Sequence, residues 1–507
     1  MSTRLLGVDV GTSLIKAVVF DSEGSELGLG SQSVEVLSPH PGWAEQDMDA
    51  VWTAAAEAIR GAIERAGHSD DIEVVAVAGQ GDGAWMLDGD GRPLVPAPLW
   101  NDSRAAGIID RWDKSGALQA LYPRGGTVLW TGSQAALLAW FAEHDPELLE
   151  RAATVLCAKD WIRYKLTGTI GTDETDGSIP FMDLAERRIS DEQAAILGLR
   201  DHTDLLPEVS RSSQVVGSIT DDAAAATLLR PGTPVVAGVL DVAANAIGVG
   251  AVDSGQAMVI LGTTALAAVV LDKPRFEPAD VGASVCHAPE GRWMRALGSM
   301  AGTPNLDWYL KTMGEGLAAD AAVAGRDVYA LLEEEIGASA PGAGGVIYHP
   351  YLRGERVPFN APDARGAFFG LSMDTKRGDL ARAVSEGVAF AVRHLFEAAA
   401  TPVSEVRVCG GGGGSRTWAQ ILADVTGARM IVAEGSQFGA LGAAIAGGVG
   451  IGVYPDYATA VERCVSVERV HVPAPDRQAL YDERFRLYLD LVGAMRPYWS
   501  RLVGATH

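Results

Sequence analysis

The chain has 507 residues, 48% of them hydrophobic and 21% charged, which is too long for one core and balanced like a soluble globular protein, so two large domains are expected. A formal net charge of −24 argues against a general affinity for nucleic acid or an anionic membrane, and a nucleotide would have to be held by backbone amides, a few local cations and Mg2+. The N-terminus lacks signal-peptide order, no window approaches 18 uncharged apolar residues, the four cysteines (Cys157, Cys286, Cys409 and Cys464) form no Cys-x-x-Cys pair, and the histidines show no ligand spacing; a reduced cytoplasmic chain without a structural zinc site is expected.

The first elements are strands. Residues 5–8 form an apolar run that ends in Asp9, Gly11, Thr12 and Ser13, and after Lys16 a second apolar run covers 17–20. Strand, tight turn, strand is the plain reading. An acid at a strand end, a glycine that lets backbone approach a ligand, and two hydroxyls suit phosphate oxygens and their magnesium. The same residues are also ordinary turn chemistry. A third strand is expected before residue 37. Val51, Ala54, Ala55, Ala58, Ile59 and Ala62 recur at helical spacing and predict a helix over 48–66, and a strand over 74–78 then runs into Gly79-Gln80-Gly81-Asp82-Gly83. Three antiparallel strands, a helix and a further strand make a recurrent ATPase unit.

Around this unit lie residue types that suit polyhydroxylated ligands. Trp43, Glu45 and Gln46 precede the helix, Trp100, Asn101, Asp102 and Arg104 form a second cluster, and Asp82 is flanked by glycines. Each also fits a surface loop or turn. Residues 234–240 predict a buried strand with Asp241 at its end, followed by a small-residue helix over 243–250. A carboxylate there is either a helix N-cap or a working acid. In a phosphoryl-transfer site it would accept the proton of the attacking hydroxyl.

The order then begins again, with apolar runs at 255–261 and 265–271 around Gly262-Thr263-Thr264. This echo predicts two related halves, 1–252 and 253–507, facing each other across a cleft. Residues 340–366 read as an irregular connection, and 380–395 as a helix with Arg382 and Glu386 one turn apart. A strand over 404–409 precedes five glycines, 410–414, then a helix over 417–426, a strand over 430–433 and a glycine- and alanine-rich stretch over 439–448. Five consecutive glycines cost folding entropy, so a flat ligand such as a base and sugar is expected against that backbone, with the next helix N-terminus behind it. No Gly-Lys-Ser/Thr follows, so this is not a P-loop, and a dinucleotide fold is equally unexpected. The tail, 477–502, reads as a packing helix with Tyr481, Phe485, Tyr488 and Leu491 on one face.

On these motifs the chain resembles the FGGY carbohydrate kinase family from residue 5 to about 450. Gly7-Val-Asp-Val-Gly-Thr-Ser13 is similar to the family's first phosphate motif and Gly262-Thr-Thr264 to its second. The five glycines, with Trp418 and the 439–444 stretch, are similar to its adenosine motif. Phe369-Gly-Leu with 380–390 resembles the C-terminal signature, and 350–356 and the Lys159-Asp-Trp run through Gly168 are also family-like. The resemblance implies an α/β fold of two ribonuclease H-like (actin/hexokinase/Hsp70 ATPase) domains flanking a deep cleft that holds ATP and Mg2+. It implies Asp241 as catalytic base, close to the metal, and Asp9 as the acid that meets Mg2+ through water. It assigns Asp82, Gln80, Gly81, Trp43, Glu45, Trp100 and Asn101, with Asp241, to the sugar. It assigns Gly11, Thr12, Ser13, Lys16, Gly262 and Thr263 to the phosphates, and Gly411, Gly412, Gly413 and Trp418 to the adenosine. It suggests a homodimer with no nucleic-acid or membrane partner.

Within the family, glycerol kinases carry Arg-Glu and xylulokinases Met-His where this chain has Gly81-Asp82. Gln80-Gly-Asp-Gly83, with 44–48, 157–161 and Thr131-Gly-Ser-Gln134, is most similar to erythritol kinases, with L-xylulose and other polyol kinases as rivals. Ala265 after Gly262-Thr-Thr is a departure from the Ser-Gly of many relatives. A non-catalytic regulator on the same fold is the alternative of a different class. A repressor would need a DNA-binding module and an Hsp70-type chaperone a peptide-binding domain, and neither is expected in this sequence.

Overall fold

β1 (Arg4–Val10) lies in the middle of the sheet that organises the first half of the chain. It pairs antiparallel with β2 (Leu14–Asp21), which pairs with β3 (Glu26–Ser33). α1 (Met48–Ala66) crosses over, and β4 (Ile72–Gly79) returns parallel to β1. α1 forms where its apolar stripe predicted: Val51, Ala55, Ile59 and Ala62 are fully buried against Leu6, Val8, Val75 and Val77. Burial of each valine, leucine or isoleucine among them is worth about 1.5–3 kcal/mol, and of each alanine less, and alternate residues of each strand supply that face. Asp47 caps the helix by accepting from Ala50 N–H at 2.9 Å, and left-handed Gly67 ends it.

The computed structural model describes residues 3–67, 71–279 and 281–504. They fall into two compact units: Met1–Ser254 with Val270–Met294 and Gln437–Ser466, and Gly255–Val269 with Arg295–Ser436 and Val467–His507.

The first unit continues with α2 (Gln134–His144), α3 (Ala158–Thr167) and β5 (Val215–Ser218). Residues 234–240 do not form one strand. They give β6 (Pro234–Val236) and β7 (Val239–Leu240), because Gly238 at φ +98° breaks the run between them. The sheet order is β5-β6-β4-β1-β2-β3, with β7 also on β4. α4 (Asp241–Gly248) starts two residues before its apolar residues indicated, so Asp241 lies in its first turn.

In the second unit β8 (Gln256–Leu261) and β9 (Ala265–Leu271) form the expected hairpin. α5 (Arg377–Ala398) is the long helix, and its Arg382 Nε donates to Glu386 Oε1 at 2.8 Å. β10 (Glu405–Cys409) is parallel to β8, and α6 (Arg416–Thr426) and β11 (Arg429–Ala433) follow. The connection over 340–366 is more regular than expected, since Ile347–His349 pairs with Ala367–Phe369.

The glycine- and alanine-rich 439–448 stretch is a helix, α7 (Phe438–Gly450), and it belongs to the first unit. Its small residues let backbones meet. A Cβ on Gly7 of β1 would overlap the Ala440 carbonyl oxygen, and one on Gly442 would overlap that of Ala244 in α4. β12 (Val467–His471) and α8 (Gln478–Gly504) complete the second unit. As expected, α8 buries Tyr481, Phe485 and Tyr488, and Tyr481 Oη donates to Glu386 Oε1 at 2.9 Å. Among the described residues no helix is long and apolar enough to cross a membrane, and the four cysteines are buried and unbridged.

Candidate active site

Three parallel strand ends define the site in the first unit. In register, Val10 of β1 and Leu240 of β7 both pair with Gly79 of β4. Asp9, the Gln80–Gly83 loop and Asp241 therefore reach the same carboxyl edge of one sheet, where ligands of open α/β sheets bind. The Gln80 N–H extends the ladder by donating to Val10 O at 3.1 Å. Residues remote in sequence meet because the strands that carry them end together.

The carboxylates there are poorly solvated. Burial pushes Asp9 up to about 6, against the pull of Lys16, which faces it across the β1–β2 pair. Burial, and then the negative charge of Asp9, push Asp241 up to about 7, while Val242 N–H, donating to Oδ1 at 2.6 Å, works the other way. Asp82 goes up to about 7 through burial, opposed by the Gln134 N–H that donates to its Oδ1 at 3.1 Å. Strained backbone holds it there: Asp82 sits at φ +56° beside Gly83 at φ +73°. Three acids pushed toward neutrality at one sheet edge make an electrostatically costly arrangement, the pattern functional sites use. α7 closes one side, where a Cβ on Gly439 would lie 2.5 Å from Asp9 Oδ2.

Beside the acids runs a ring of amides and hydroxyls. Thr12 Oγ1 donates to Gln80 Oε1 at 2.8 Å, Gln80 Nε2 to Gln46 Oε1 at 3.0 Å, and Gln46 Nε2 back to Thr12 O at 2.8 Å. The Trp100 indole donates to Thr12 Oγ1 at 3.1 Å while its ring stays 40% exposed. Asn101 and Ser13 are exposed, and Gly11 is partly so. Gly81 is confined: a Cβ would lie 2.8 Å from Asp176 Oδ1 and also press on Leu240.

Glu45 and Trp43 have other partners. Glu45 Oε1 accepts from Arg104 Nη2 at 2.5 Å, and the same guanidinium pairs with Asp102 and lies 3.8 Å over the Trp43 ring. The Arg104 side chain is almost wholly buried, so this cage braces the 43–46 segment and already engages Glu45 Oε1 and one face of Trp43.

The second unit carries the remaining motifs. The Gly262–Thr264 turn is fixed by Thr303, whose N–H and Oγ1–H donate to Gly262 O at 2.8 and 3.1 Å, and Thr263 is exposed. Residues 411–414 form a single 3-10 turn, and Arg469 donates to the carbonyls of Gly413 and Gly414. Part of the glycine requirement is internal, because a Cβ on Gly412 would lie 2.5 Å from Leu261 Cδ2. Gly411 and Gly414 face open space. Trp418 is 3% exposed and donates to Ser385 O at 3.1 Å, so it ties α6 to α5 from within the core.

Residues 4–248 match the N-terminal domain of the FGGY family of carbohydrate kinases, and residues 257–451 match its C-terminal domain. The chain belongs to the FGGY family of carbohydrate kinases. It is 31% identical to the L-xylulose/3-keto-L-gulonate kinase of Escherichia coli, over 99% of each chain. It is 32% identical to the erythritol kinase of Brucella abortus, over 98% of this chain and 97% of the relative. A crystal structure of a xyloylose kinase from Brucella ovis superposes with a TM-score of 0.85 at 30% identity, covering 97% of this chain and 99% of that one. The fold is thus the two-domain actin/hexokinase-like fold of the FGGY sugar kinases.

In this kinase several working groups escaped sequence reasoning. Gln134 closed the Thr131-Gly-Ser-Gln134 stretch, but nothing local shows that its backbone N–H, at the start of α2, donates to Asp82. Arg104 was visible in its cluster, but its partner Glu45 lies 59 residues away. Lys159 stood in a family-like run, yet nothing local shows that it is fully buried among three aspartates.

Proposed function

We propose that this carbohydrate kinase transfers the γ-phosphoryl group of ATP to a terminal hydroxyl of a small sugar alcohol, with erythritol the first candidate. The observation that carries the reading is the convergence of Asp9, the Gln80–Gly83 loop and Asp241 at one carboxyl edge of the sheet. Asp241 acts as the base. Val242 N–H occupies its Oδ1, and Oδ2 takes the proton of the attacking hydroxyl. A carboxylate raised to about 7 matches that task at neutral pH. Asp82 and the Gln80–Gln46 amides receive the acceptor hydroxyls, and the exposed face of Trp100 meets the carbon chain.

The residues present fit a divalent cation. Asp9 and Asp241 are both raised by burial, and Asp9 raises Asp241 further, so a cation between ligand and carboxylates would relieve both. Mg2+ bound there would neutralise phosphate charge as it develops. Gly11, Thr12, Ser13 and Lys16 are assigned to the phosphates, as are Gly262 and Thr263. The open backbone at Gly411 and Gly414 is assigned to the adenosine.

A ketose acceptor of the L-xylulose or D-xylulose type is the second reading, favoured by relatives of that name at the same level of identity. An ADP-release assay over erythritol, L-xylulose, D-xylulose and glycerol separates these, and silence across the panel with ATP still bound would favour a regulator. Asp241→Asn should retain acceptor binding and lose more than about a hundredfold in kcat. Turnover within tenfold of wild type would remove Asp241 from the role of base.

A further inference from the structure

The run that begins at Lys159 packs under the site. Lys159, Asp160 and Asp173 are 0% exposed and Asp176 is 5% exposed. Lys159 Nζ lies 2.6 Å from Asp160 Oδ1, 3.0 Å from Asp173 Oδ1 and 3.0 Å from Asp176 Oδ2. Three carboxylates and a lysine out of water are weak stabilisers compared with apolar packing of the same volume. Their placement suggests another use.

Asp173 is the hub. Its Oδ2 accepts from Thr175 N–H at 2.9 Å, Thr175 Oγ1–H at 2.7 Å and Ser212 Oγ–H at 2.6 Å. Burial alone would raise this acid, but Lys159 and the hydroxyls outweigh it and hold it below the ordinary range. With its O–H directed at Asp173, the Thr175 hydroxyl presents its lone pairs to the Leu240 N–H and accepts from it at 2.7 Å. Leu240 is the residue before Asp241. Ser212 O accepts Gly238 N–H at 3.1 Å, two residues earlier on the same segment. On the acceptor side, Asp176 Oδ1 is within 2.8 Å of where a Gly81 Cβ would stand, and Lys159 Cβ within 3.1 Å of a Gly79 Cβ. One buried charge group therefore abuts both the segment that delivers Asp241 and the loop that carries Asp82.

We propose that Thr175 is a positioning residue for phosphoryl transfer: held by Asp173, with which Lys159 pairs, it fixes the Val239–Leu240 peptide immediately before Asp241 and so sets the base against the acceptor loop. The inference rests on Asp241 being the base. Its chemistry is orientational, and misplacement of a reacting group by about 1 Å costs on the order of a hundredfold in rate.

The test compares Thr175→Val, which keeps the shape but removes donor and acceptor, with Thr175→Ser, which keeps both. Each is assayed as full-length enzyme with ATP and, in parallel, erythritol, L-xylulose and D-xylulose, alongside Asp241→Asn. Thr175→Val should lower kcat by about thirty- to a hundredfold with acceptor KM within about twofold. Thr175→Ser should return kcat to within about threefold of wild type. If Thr175→Val does not fold, Thr175→Cys replaces it, since a thiol is a poor acceptor of similar size, and about a tenfold kcat loss is expected. A kcat for Thr175→Val or Thr175→Cys equal to that of Thr175→Ser overturns the proposal, as does a loss in which kcat, KM and melting temperature all change and serine restores none of them. Asp241→Asn with wild-type turnover would defeat the base assignment and this inference together. An inactive Asp241→Asn beside an unimpaired Thr175→Val would defeat the inference alone.

Discussion

At the scale of single residues, Asp82 shows how a site is held against stability. Asp82 is 8% exposed as a residue, and its carboxyl is raised from 3.8 to about 7, chiefly by burial. The sign follows from linkage. The folded state keeps a proton that the unfolded state has lost, so stability falls as pH rises between 3.8 and 7 and the penalty is complete above 7. Asp82→Asn removes that penalty and keeps an oxygen for Gln134 N–H. It should stabilise the protein by about 2–4 kcal/mol at pH 8, and the gain should shrink toward zero near pH 4. Calorimetric melting of both proteins from pH 4 to pH 8 checks this, and a gap independent of pH would show that the Asp82 charge carries no such cost. Asp9, Gln80 and Asp82 stood out in the sequence as acids and an amide near glycines at strand ends, and the family resemblance, not the local pattern, added Lys16 and separated them from ordinary turns. Glu45 and Trp43 were legible as residue types but not as partners, since Arg104 neutralises one and covers the other.

At the scale of elements, the decisive contact is α7 against β1 and α4. α7 is buried from Phe438 to Gly448, and glycines set its distance from its neighbours. Gly442→Ala should cost about 1–3 kcal/mol, because its Cβ would strike the Ala244 carbonyl oxygen, which is backbone and cannot swing away. Gly493→Ala in α8 should do the opposite and stabilise by about 0.5–1 kcal/mol, since this glycine is exposed, helical and has nothing near it. Urea unfolding of the two variants separates them by sign, and a neutral Gly442→Ala would mean that α7 can move away. Periodicity found α1 and α8 because each has one apolar stripe. It could not resolve α7, whose small residues are apolar all round, nor the break at Gly238, where one positive φ divides a continuous apolar run.

At the scale of the whole molecule, the chain does not divide into two consecutive pieces. The first unit includes Gln437–Ser466, which the chain reaches only after building most of the second. A fragment of residues 1–254 lacks α7 and leaves bare the faces of β1 and α4 on which it packs. Such a fragment should bind a hydrophobic dye and melt without a cooperative transition, and appending 437–466 through a flexible linker should restore cooperativity. A sharp calorimetric transition for 1–254 alone would show that α7 is dispensable to the first unit. The sequence by itself determined the family, the two hairpin turns, the long helices and which acids to propose for the chemistry, because these reside in local order and residue type. Only the tertiary structure decided that Asp9, Asp82 and Asp241 share one edge, that a lysine buried among aspartates stands beneath them, and that α7 belongs with β1. Those facts depend on strand register and backbone approach between residues tens to hundreds of positions apart, which no local pattern encodes.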